Sequence, residues 1–447
     1  MIIPESEIKY SDYSMLDAFG RVFFWNDKVY RGLTIEGREA FYRLKEIGLL
    51  AELEQKSLIP TSSVTNYNTQ YFDVVIEHEK IAPASFVYEW PFDMVKAAGE
   101  CILNVNLIAA KYNYQTIDAH PYNVLFKGCQ PLFIDLGSLI AVENATGWNA
   151  LEEFYGYFKY PLRIWNDISY PMARRLYDED LSFISSDDYN RLINLSTPSY
   201  VKKIRALKQK ISGRVTNKVS KTLIEKLETY KSDLKVLTRN KITTQWGNYH
   251  DDYIIDDKIS GSDRFKTIIS KIAEFKIETI TELAGNWGLL SYLLLEHTGV
   301  KHINCTDYDE NAVNKMYNYF KDTKYAQQLS PALIDFMKPV ELCNSGRPAE
   351  RFKSEAVFAL AVTHHLVLTN KYDLSVILKK IGEYSSKYIF VEFMPLGLWN
   401  GEAAPELPGF YNQDWFTKKF EEQFSILDIA HIEENRILYT GIKKLPV

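Results

Sequence analysis

The sequence predicts two domains of the α/β and α+β classes, the second built on a doubly wound sheet. Three observations indicate this. At 447 residues the chain is too long for one ordinary hydrophobic core. A strongly basic stretch interrupts it at residues 201–241. After that stretch, short apolar runs rich in β-formers alternate with helical patterns, as expected for helices packed on a parallel sheet. We therefore predict a first domain over residues 1–200, a connector over 201–241 and a second domain over 242–447.

The composition excludes several classes of protein. Hydrophobic residues make up 46% and charged residues 25% of the chain, which is typical of a globular protein. The N-terminus carries acids and no apolar core, and no window offers the roughly 18 apolar residues of a membrane span, so neither a secretory signal nor a transmembrane segment is predicted. The net charge of −6 argues against a nucleic-acid partner. Four widely spaced cysteines without a C-x-x-C pair favour a reducing cytoplasm.

The connector is basic and amphipathic. Residues 201–241 hold thirteen Lys or Arg against three Asp or Glu, and apolar residues recur at three- and four-residue steps. This pattern predicts helices, interrupted near Ser212–Gly213. One interpretation is a helical linker whose basic face is solvated. The other is a patch that contacts an anionic polymer or, peripherally, a membrane surface.

Polar residues follow the strands predicted in the second domain. These strands are Ile277–Leu283, His302–Thr306, Ala332–Ile334, Ala356–Val362 and Tyr388–Val391. In an open doubly wound sheet, ligands bind at the edge formed by the carboxyl ends of the strands. The candidate site residues at that edge are Asp307, Asp335, His364, His365 and Glu392.

The turn after the first of these strands predicts a bound cofactor. The sequence ELAGNWG begins with Glu282 and continues into a turn of small residues. The candidate cofactor-binding positions in the turn are Ala284, Gly285, Asn286 and Gly288. Such a turn lets the backbone approach a cofactor closely, and an acid about 20 residues later accepts hydrogen bonds from ribose hydroxyls. Asp307 stands at that distance.

This region resembles the class I S-adenosylmethionine-dependent methyltransferases, whose motif I is D/E-x-G-x-G-x-G. Ala284 and Asn286 stand where the family has its first two glycines, and Gly288 keeps the third. Asp307 matches the ribose position and Asp335 the adenine position. The segments VTHHL and VEF follow at the fourth and fifth strands, and ILDIAHIEENRILYTGIKK looks like the hairpin that completes the fold.

The resemblance implies a Rossmann-like domain with a seven-stranded, doubly wound sheet, which binds S-adenosyl-L-methionine through Glu282, the turn, Asp307 and Asp335. A nicotinamide-binding domain is the competing interpretation. Its pyrophosphate requires a G-x-G-x-x-G turn, which ELAGNWG does not contain.

Methyl transfer to a hydroxyl needs an aligned acceptor and a general base. Histidine titrates near neutrality, so either His365 or His364 is predicted to be that base, with His365 favoured. In the alternative, both histidines are structural and bond to nearby backbone. Glu392 is predicted to orient the histidine or to bind the acceptor, and the alternative is a solvated acid without either role.

A second candidate site lies in the first domain. The sequence TIDAHPYNVLF places Asp118 five residues before Asn123, and Asp135 follows a short strand. The stretch resembles the catalytic loop of protein kinases and, more closely, the H-G-D-x-H-P-x-N…I-D-x-G run of aminoglycoside and choline kinase-like phosphotransferases. By this resemblance Asp118 would accept the proton of the acceptor hydroxyl. Asn123 and Asp135 would ligate the Mg²⁺ of Mg-ATP, and Arg31 would take the place of the third-strand Lys.

The sequence departs from those families at two places. Thr116 stands where the loop histidine lies, and no glycine-rich phosphate loop appears around RVFFWNDKVYRGLT. A kinase-like fold with a degenerate site is therefore one interpretation, and an active phosphotransferase is another. In a third, Asp118 and Asn123 only build a rigid turn.

The order of the two halves is similar to that of nodulation-type and polysaccharide-associated bacterial methyltransferases. This resemblance implies a carbohydrate or glycolipid acceptor. Three functions remain open at this point: a methyltransferase whose first half recognises the acceptor, a bifunctional enzyme that phosphorylates and methylates a sugar, and a non-catalytic scaffold.

Overall fold

The structure is a computed structural model that describes most of the chain. The described residues are 1–11, 14, 17–143, 145–177, 183–196, 222–240, 244, 246, 262–342, 346–399 and 406–444. The first half of the predicted connector, with the break at Ser212–Gly213, lies outside these ranges. None of the described helices is long and apolar enough to cross a bilayer.

The first domain opens with an antiparallel sheet in the order β1-β2-β3-β5-β4. Its strands are β1 (Lys9–Tyr10), β2 (Gly20–Trp25), β3 (Lys28–Leu33), β4 (Ser62–Val64) and β5 (Val74–His78). Asn26 and Asp27 both have positive φ, as a tight two-residue hairpin between β2 and β3 requires. Helices α1 (Ile35–Glu46) and α2 (Leu49–Gln55) connect β3 to β4.

The rest of the first domain is mainly helical and surrounds one buried helix. Its elements are α3 (Phe92–Ala109), β6 (Tyr114–Thr116), β7 (Val124–Lys127), β8 (Gln130–Phe133), β9 (Leu139–Ala141), α4 (Leu151–Phe154), α5 (Tyr160–Asp167), α6 (Tyr170–Arg175), α7 (Ser186–Ser196) and α8 (Leu223–Lys235). Helix α3 is apolar on nearly every face, as expected for a helix in a core. β6 pairs with β9 and β7 pairs with β8, so these two ribbons bring residues 117–123 close to Asp135.

The described part of the connector is a helix that packs on the first domain. α8 buries Leu223, Leu227 and Leu234. The Lys96 ammonium of α3 donates to the carbonyl oxygens of Lys235 and Leu237, both at 2.7 Å. The predicted amphipathic helix is thus present over α8, and its apolar stripe faces the first domain.

The second domain is the doubly wound sheet that the sequence predicts. Its elements are α9 (Asp263–Phe275), β10 (Thr279–Leu283), α10 (Leu289–His297), β11 (His302–Asp307), α11 (Glu310–Phe320), β12 (Leu329–Leu333), α12 (Pro348–Arg351), β13 (Ser354–Ala359), α13 (Leu374–Glu383), β14 (Ser385–Phe393), α14 (Gln413–Gln423), β15 (Phe424–Glu433) and β16 (Arg436–Lys443). The described strands form one seven-stranded sheet in the order β12-β11-β10-β13-β14-β16-β15. The first five are parallel, and β15 and β16 close the sheet as an antiparallel hairpin.

The predicted strands are all present, with shifted ends. The largest shifts at a strand start are three residues each, in β12, which begins at Leu329 and not at Ala332, and in β14, which begins at Ser385 and not at Tyr388. In β12 the reason is Pro331, because a proline argues against a strand interior. β12 tolerates the proline because it is the edge strand of the sheet, where one row of amide groups needs no partner.

The two domains meet along a seam that contains buried ion pairs. Arg351 of α12 donates to both carboxylate oxygens of Glu89 in the first domain, at 2.5 and 2.9 Å. The Arg351 side chain is 10% exposed and the Glu89 side chain 2% exposed. Glu310 of α11 accepts a hydrogen bond from the Phe92 amide at 3.0 Å and pairs with Arg239.

Further contacts make the seam continuous. Asn314 and Asn318 of α11 donate to the Asp93 carboxylate. The β7–β8 turn approaches the second domain closely, with the Cys129 amide 2.6 Å from the Ala326 carbonyl oxygen. Gly128 in this turn has a φ of +60°, and a Cβ there would clash with Ala326. One hydrophobic cluster contains buried residues of both domains.

Replacing Arg351 with Ala should lower the free energy of unfolding by about 3–5 kcal/mol, because the Glu89 carboxylate would remain buried without its partner. Urea denaturation followed by circular dichroism measures this change. Arg347→Ala is the matched control, since Arg347 forms an exposed pair with Glu350 beside the same helix. That control should leave stability nearly unchanged, because an exposed ion pair is screened by solvent. Equal, small effects of both substitutions would contradict a buried ion-pair seam.

Candidate functional site

The turn between β10 and α10 holds three residues in the left-handed region. The φ angles are +54° at Ala284, +53° at Asn286 and +86° at Gly288. The two positions where the methyltransferase motif has glycine therefore keep the backbone conformation that favours glycine, although the residues differ. Asn tolerates this region better than other non-glycine residues, whereas Ala284 carries the steric cost of its Cβ.

Gly285 and Glu282 stabilise the side of the turn that packs on the sheet interior. A Cβ at Gly285 would clash with Cys305 and would lie 2.9 Å from the Glu282 carboxyl carbon. The buried Glu282 carboxylate accepts a hydrogen bond from Ser291 Oγ at 2.5 Å. Burial raises the pKa of Glu282 to about 7. Glu282 therefore supports the turn from the sheet interior.

Asp307 ends β11 directly beside the turn. One carboxylate oxygen accepts from the Asn286 amide at 2.9 Å and the other from the Asp309 amide at 2.8 Å. The residue is buried, and burial raises the pKa of its carboxyl to about 6. Two backbone amides thus fix the orientation of an acid at the carboxyl edge of the sheet.

Asp335 lies at the same edge, after the neighbouring strand. The Ile334 amide donates to the Asp307 carbonyl oxygen at 2.8 Å, which places the two loops side by side. The Asp335 side chain is exposed, and its Oδ1 accepts from the amides of Met337 and Lys338 at 2.9 and 3.3 Å. The structure therefore brings Asp335 to the predicted edge, where it caps a turn.

Three further residues lie at this edge, namely Trp246, Tyr308 and Asp309, of which Tyr308 and Asp309 were not predicted as site residues. The Trp246 indole donates to the Tyr308 hydroxyl at 2.6 Å, and the Asn286 amide group donates to the Trp246 carbonyl oxygen at 2.9 Å. Asp309 caps α11 and accepts from Thr244 Oγ1 at 2.9 Å. The Asp-Tyr-Asp sequence before a helical pattern is a recognisable capping signal for Asp309. The contacts of Trp246 join it to Tyr308, 62 residues away, and to Asn286, 40 residues away, and no local signal encodes these partners.

His364 and His365 follow β13 at the same edge, with ring centroids 4.0 Å apart. His365 is half-buried and packs edge-to-face with Trp246, at 4.7 Å between centroids. Burial lowers the pKa of His365. Burial, with His365 and Arg436 nearby, lowers the pKa of His364 to about 3. Both imidazoles are therefore neutral at neutral pH.

Glu392 is fully buried between two arginines. Its carboxylate accepts from Arg264 at 2.7 and 2.9 Å and from Arg436 at 3.0 Å. Burial opposes ionisation, but the two guanidinium groups lower the pKa of Glu392 below its ordinary value. Among the described residues, the Glu392 carboxylate bonds to these two arginines and to neither histidine. Its burial also differs from the solvated acid of the alternative interpretation. Arg264 and Arg436 were absent from the predicted site because only the tertiary fold brings them to Glu392.

The candidate residues of the first domain also converge. Asn123 Nδ2 and Ser138 Oγ both donate to Asp118 Oδ1 at 2.7 Å. His120 Nε2 lies 3.9 Å from the other carboxylate oxygen, Asp118 Oδ2. Thr116 donates and accepts hydrogen bonds with Asn106 of α3, so the residue at the position of the loop histidine serves as a buried anchor.

Asp135 and Arg31 lie together in the cleft below the first sheet. Arg31 Nη1 is 3.9 Å from Asp135 Oδ1 and donates to Asp17 Oδ2 at 2.9 Å. Burial raises the pKa of Asp135 to about 6, and the carboxylate of Asp118 also raises it. Within the described ranges, no three side chains of His, Cys, Asp or Glu form a group that could hold a metal ion.

Comparisons with known proteins find one related sequence and several solved structures of low similarity. No protein-family model matches the sequence. The chain is 23% identical to the nodulation protein NoeA of Rhizobium meliloti (strain 1021) over 411 residues, which cover 86% of this chain and 84% of that protein. Similar solved structures include an S-adenosylmethionine-dependent methyltransferase from Aquifex aeolicus, with 11% identity and a TM-score of 0.35. It covers 46% of this chain and 100% of its own.

The N-methyltransferase NodS from Bradyrhizobium japonicum WM9 is also similar, with 10% identity and a TM-score of 0.32. It covers 42% of this chain and 99% of its own. The fold of the second domain rests on its own strand order and on the β15–β16 hairpin, which agree with the sheet that the sequence predicts.

Ala284→Gly should raise the free energy of unfolding by up to about 1 kcal/mol, because glycine removes the steric cost of a left-handed alanine. Ala40→Gly, in the interior of α1, is the matched control. The same chemical change there should lower stability by about 1 kcal/mol. Thermal and urea unfolding measure both effects. A loss of stability in both variants would mean that the strain at Ala284 is absent.

Proposed function

We propose that the chain is an S-adenosyl-L-methionine-dependent methyltransferase that acts on a carbohydrate or glycolipid, and that its first domain recognises this acceptor. One observation carries the proposal. A turn with left-handed residues at Ala284, Asn286 and Gly288 lies against Asp307 at the carboxyl edge of a seven-stranded sheet. That edge is the ligand-binding edge of doubly wound sheets.

The residues at this edge fit the cofactor. Each Asp307 oxygen accepts one backbone amide, and a carboxylate oxygen has a second lone pair that can accept from a ribose hydroxyl. Gly285 has no side chain to obstruct the turn. Asp335 lies beside Asp307 and is exposed, so its loop suits a contact with the adenine. The bound cofactor would supply the electrophilic methyl group.

His365 is the better candidate for the general base. It is less buried than His364 and lies under the Trp246 ring, at the edge where the acceptor must meet the cofactor. The lowered pKa keeps its imidazole neutral and able to accept a proton from a hydroxyl at neutral pH. His364 is more deeply buried, and its Nδ1 has no hydrogen-bond partner in the described part of the chain.

One feature supports a carbohydrate acceptor. The rings of Trp246 and Tyr308 border the edge beside His365, and Tyr308 is 54% exposed. Aromatic rings with one polar end suit ligands that have both apolar faces and hydroxyl groups, as sugars do.

A bifunctional kinase and methyltransferase is the second candidate function. The contact between Asn123 and Asp118, with Asp135 nearby, favours it because a phosphotransferase needs a base and metal ligands in one cleft. The residues fit Mg-ATP only in part, since Arg31 already pairs with Asp17. No phosphoryl-transfer step is therefore assigned to the first domain.

Isothermal titration calorimetry of the full chain tests the proposed function. S-adenosyl-L-methionine and S-adenosylhomocysteine should both bind, and Asp307→Asn should weaken binding by about tenfold or more, because hydrogen bonds to charged groups are strong. Asp322→Asn removes an exposed acid from the same domain and should leave the affinity unchanged. If the folded wild-type chain binds neither compound, the methyltransferase proposal fails.

His365→Asn should abolish most transfer of radiolabelled methyl groups to a panel of purified bacterial glycolipids and oligosaccharides, while cofactor binding stays intact. The expected loss is about 10²–10⁴-fold, the usual contribution of a general base. Activity of the wild-type chain should decline only below the ordinary histidine pKa, since burial lowers the pKa of His365. His431→Asn, on β15, is the control. Full activity of the His365 variant would assign the base elsewhere.

A further inference from the structure

We propose that Asp17 holds a phosphate-binding site in the first domain closed. Its carboxylate takes the position beside Arg31 that a phosphate group of a ligand would otherwise take. This inference concerns the cleft between the first sheet and Asp135, and it is independent of the proposed methyl transfer.

Arg31 has the properties of a buried anion receptor. Its side chain is only 8% exposed, and Nη1 donates to Asp17 Oδ2 at 2.9 Å. Nε is buried and has no hydrogen-bond partner within the described residues. A guanidinium group presents its donors in a planar fork that matches two oxygens of a phosphate, so one monodentate carboxylate leaves it incompletely satisfied.

Residues 17–19 are packed firmly into this cleft. The Phe19 amide donates to Asp17 Oδ1 at 2.8 Å, and the Phe19 carbonyl oxygen accepts from the Thr34 amide at 3.2 Å. A Cβ on Gly137 would lie 2.8 Å from the Phe19 Cβ and 3.2 Å from Asp17 Oδ1. A Cβ on Gly37 would clash with the Phe19 backbone. Because both positions are glycine, residues 17–19 can pack closely enough for Asp17 to contact Arg31.

The charges in the cleft explain why this contact excludes an anion. The carboxylates of Asp17 and Asp135 lie within 4 Å of Arg31, and Asp118 and Asp17 both act to raise the pKa of Asp135. His78 adds no charge, because burial and the neighbouring Arg31 lower its pKa to about 3. With Asp17 in place, an incoming phosphate meets excess negative charge. Without the Asp17 charge, the Arg31 fork becomes available to it.

The experiment compares anion binding by the wild-type chain and by Asp17→Asn. The amide keeps the oxygen that accepts from the Phe19 amide and removes the charge that neutralises Arg31. Pyrophosphate without metal probes the Arg31 site, and Mg-ATP asks whether the ligand is a nucleotide. Isothermal titration calorimetry should show at least about tenfold tighter pyrophosphate binding by the variant, as expected for a released charged hydrogen-bond donor.

Two further variants make the result specific. Asp27→Asn removes an equal charge from the exposed β2–β3 turn, where Asp27 pairs with Lys80, and should not improve binding. Adding Arg31→Gln to Asp17→Asn should remove the gain. Circular dichroism establishes folding, and Asp17→Ser replaces Asp17→Asn if the latter is unfolded.

Each outcome decides the proposal. Tighter binding that requires both the loss of the Asp17 charge and the presence of Arg31 supports it, with either probe. It is overturned if a folded Asp17 variant binds pyrophosphate and Mg-ATP no better than the wild-type chain. It is also overturned if Asp27→Asn gives the same gain, because the effect would then be one of overall charge.

Discussion

A buried carboxylate of the second domain holds the first turn of α3, and both candidate sites depend on this contact. Glu310 accepts from the amide of Phe92, the first residue of the helix, and pairs with Arg239. The free amides at a helix N-terminus carry partial positive charge, so a carboxylate there satisfies a donor and a dipole together. Glu310 lies three residues after Asp307, so the carboxyl edge of the second sheet is fixed to α3. The same helix anchors the Asp118 loop through Asn106 and Thr116.

This seam makes the two domains one packed unit. Arg351 and Glu89 are nearly inaccessible to water, and a buried ion pair is tolerated only while both partners are present. The hydrophobic cluster that includes both domains adds apolar burial to these polar contacts. In such an arrangement the first domain has a fixed position relative to the carboxyl edge of the second sheet. The proposed function requires such a fixed position, because methyl transfer depends on alignment.

The two sites differ from the family motifs that the sequence resembles in different ways. In the second domain, Ala284 and Asn286 stand where the methyltransferase motif has glycines and keep the left-handed backbone, at some cost in strain. In the first domain, the sequence shows no glycine-rich loop, and Asp17 occupies the neighbourhood of Arg31. The second domain thus has the turn geometry of its motif, whereas Arg31 in the first domain already pairs with a carboxylate. Glu392 is fully buried and accepts hydrogen bonds from two arginines.

The sequence by itself determined the alternation of strands and helices after residue 277, the turn after β10 and the polar residues at the strand ends. These are local signals: β-formers in short runs, small residues in a turn and helix periodicity. Only the tertiary structure decided which distant groups meet. Three contacts join residues that are well separated in sequence, and nothing in the sequence around either residue encodes its partner. These contacts are Trp246 with Tyr308, Arg264 with Glu392 and Asp17 with Arg31. The ends of β12 and the contact of Glu310 with α3 could not be predicted from local sequence for the same reason. Pairing at a sheet edge and burial between domains are properties of the packed chain.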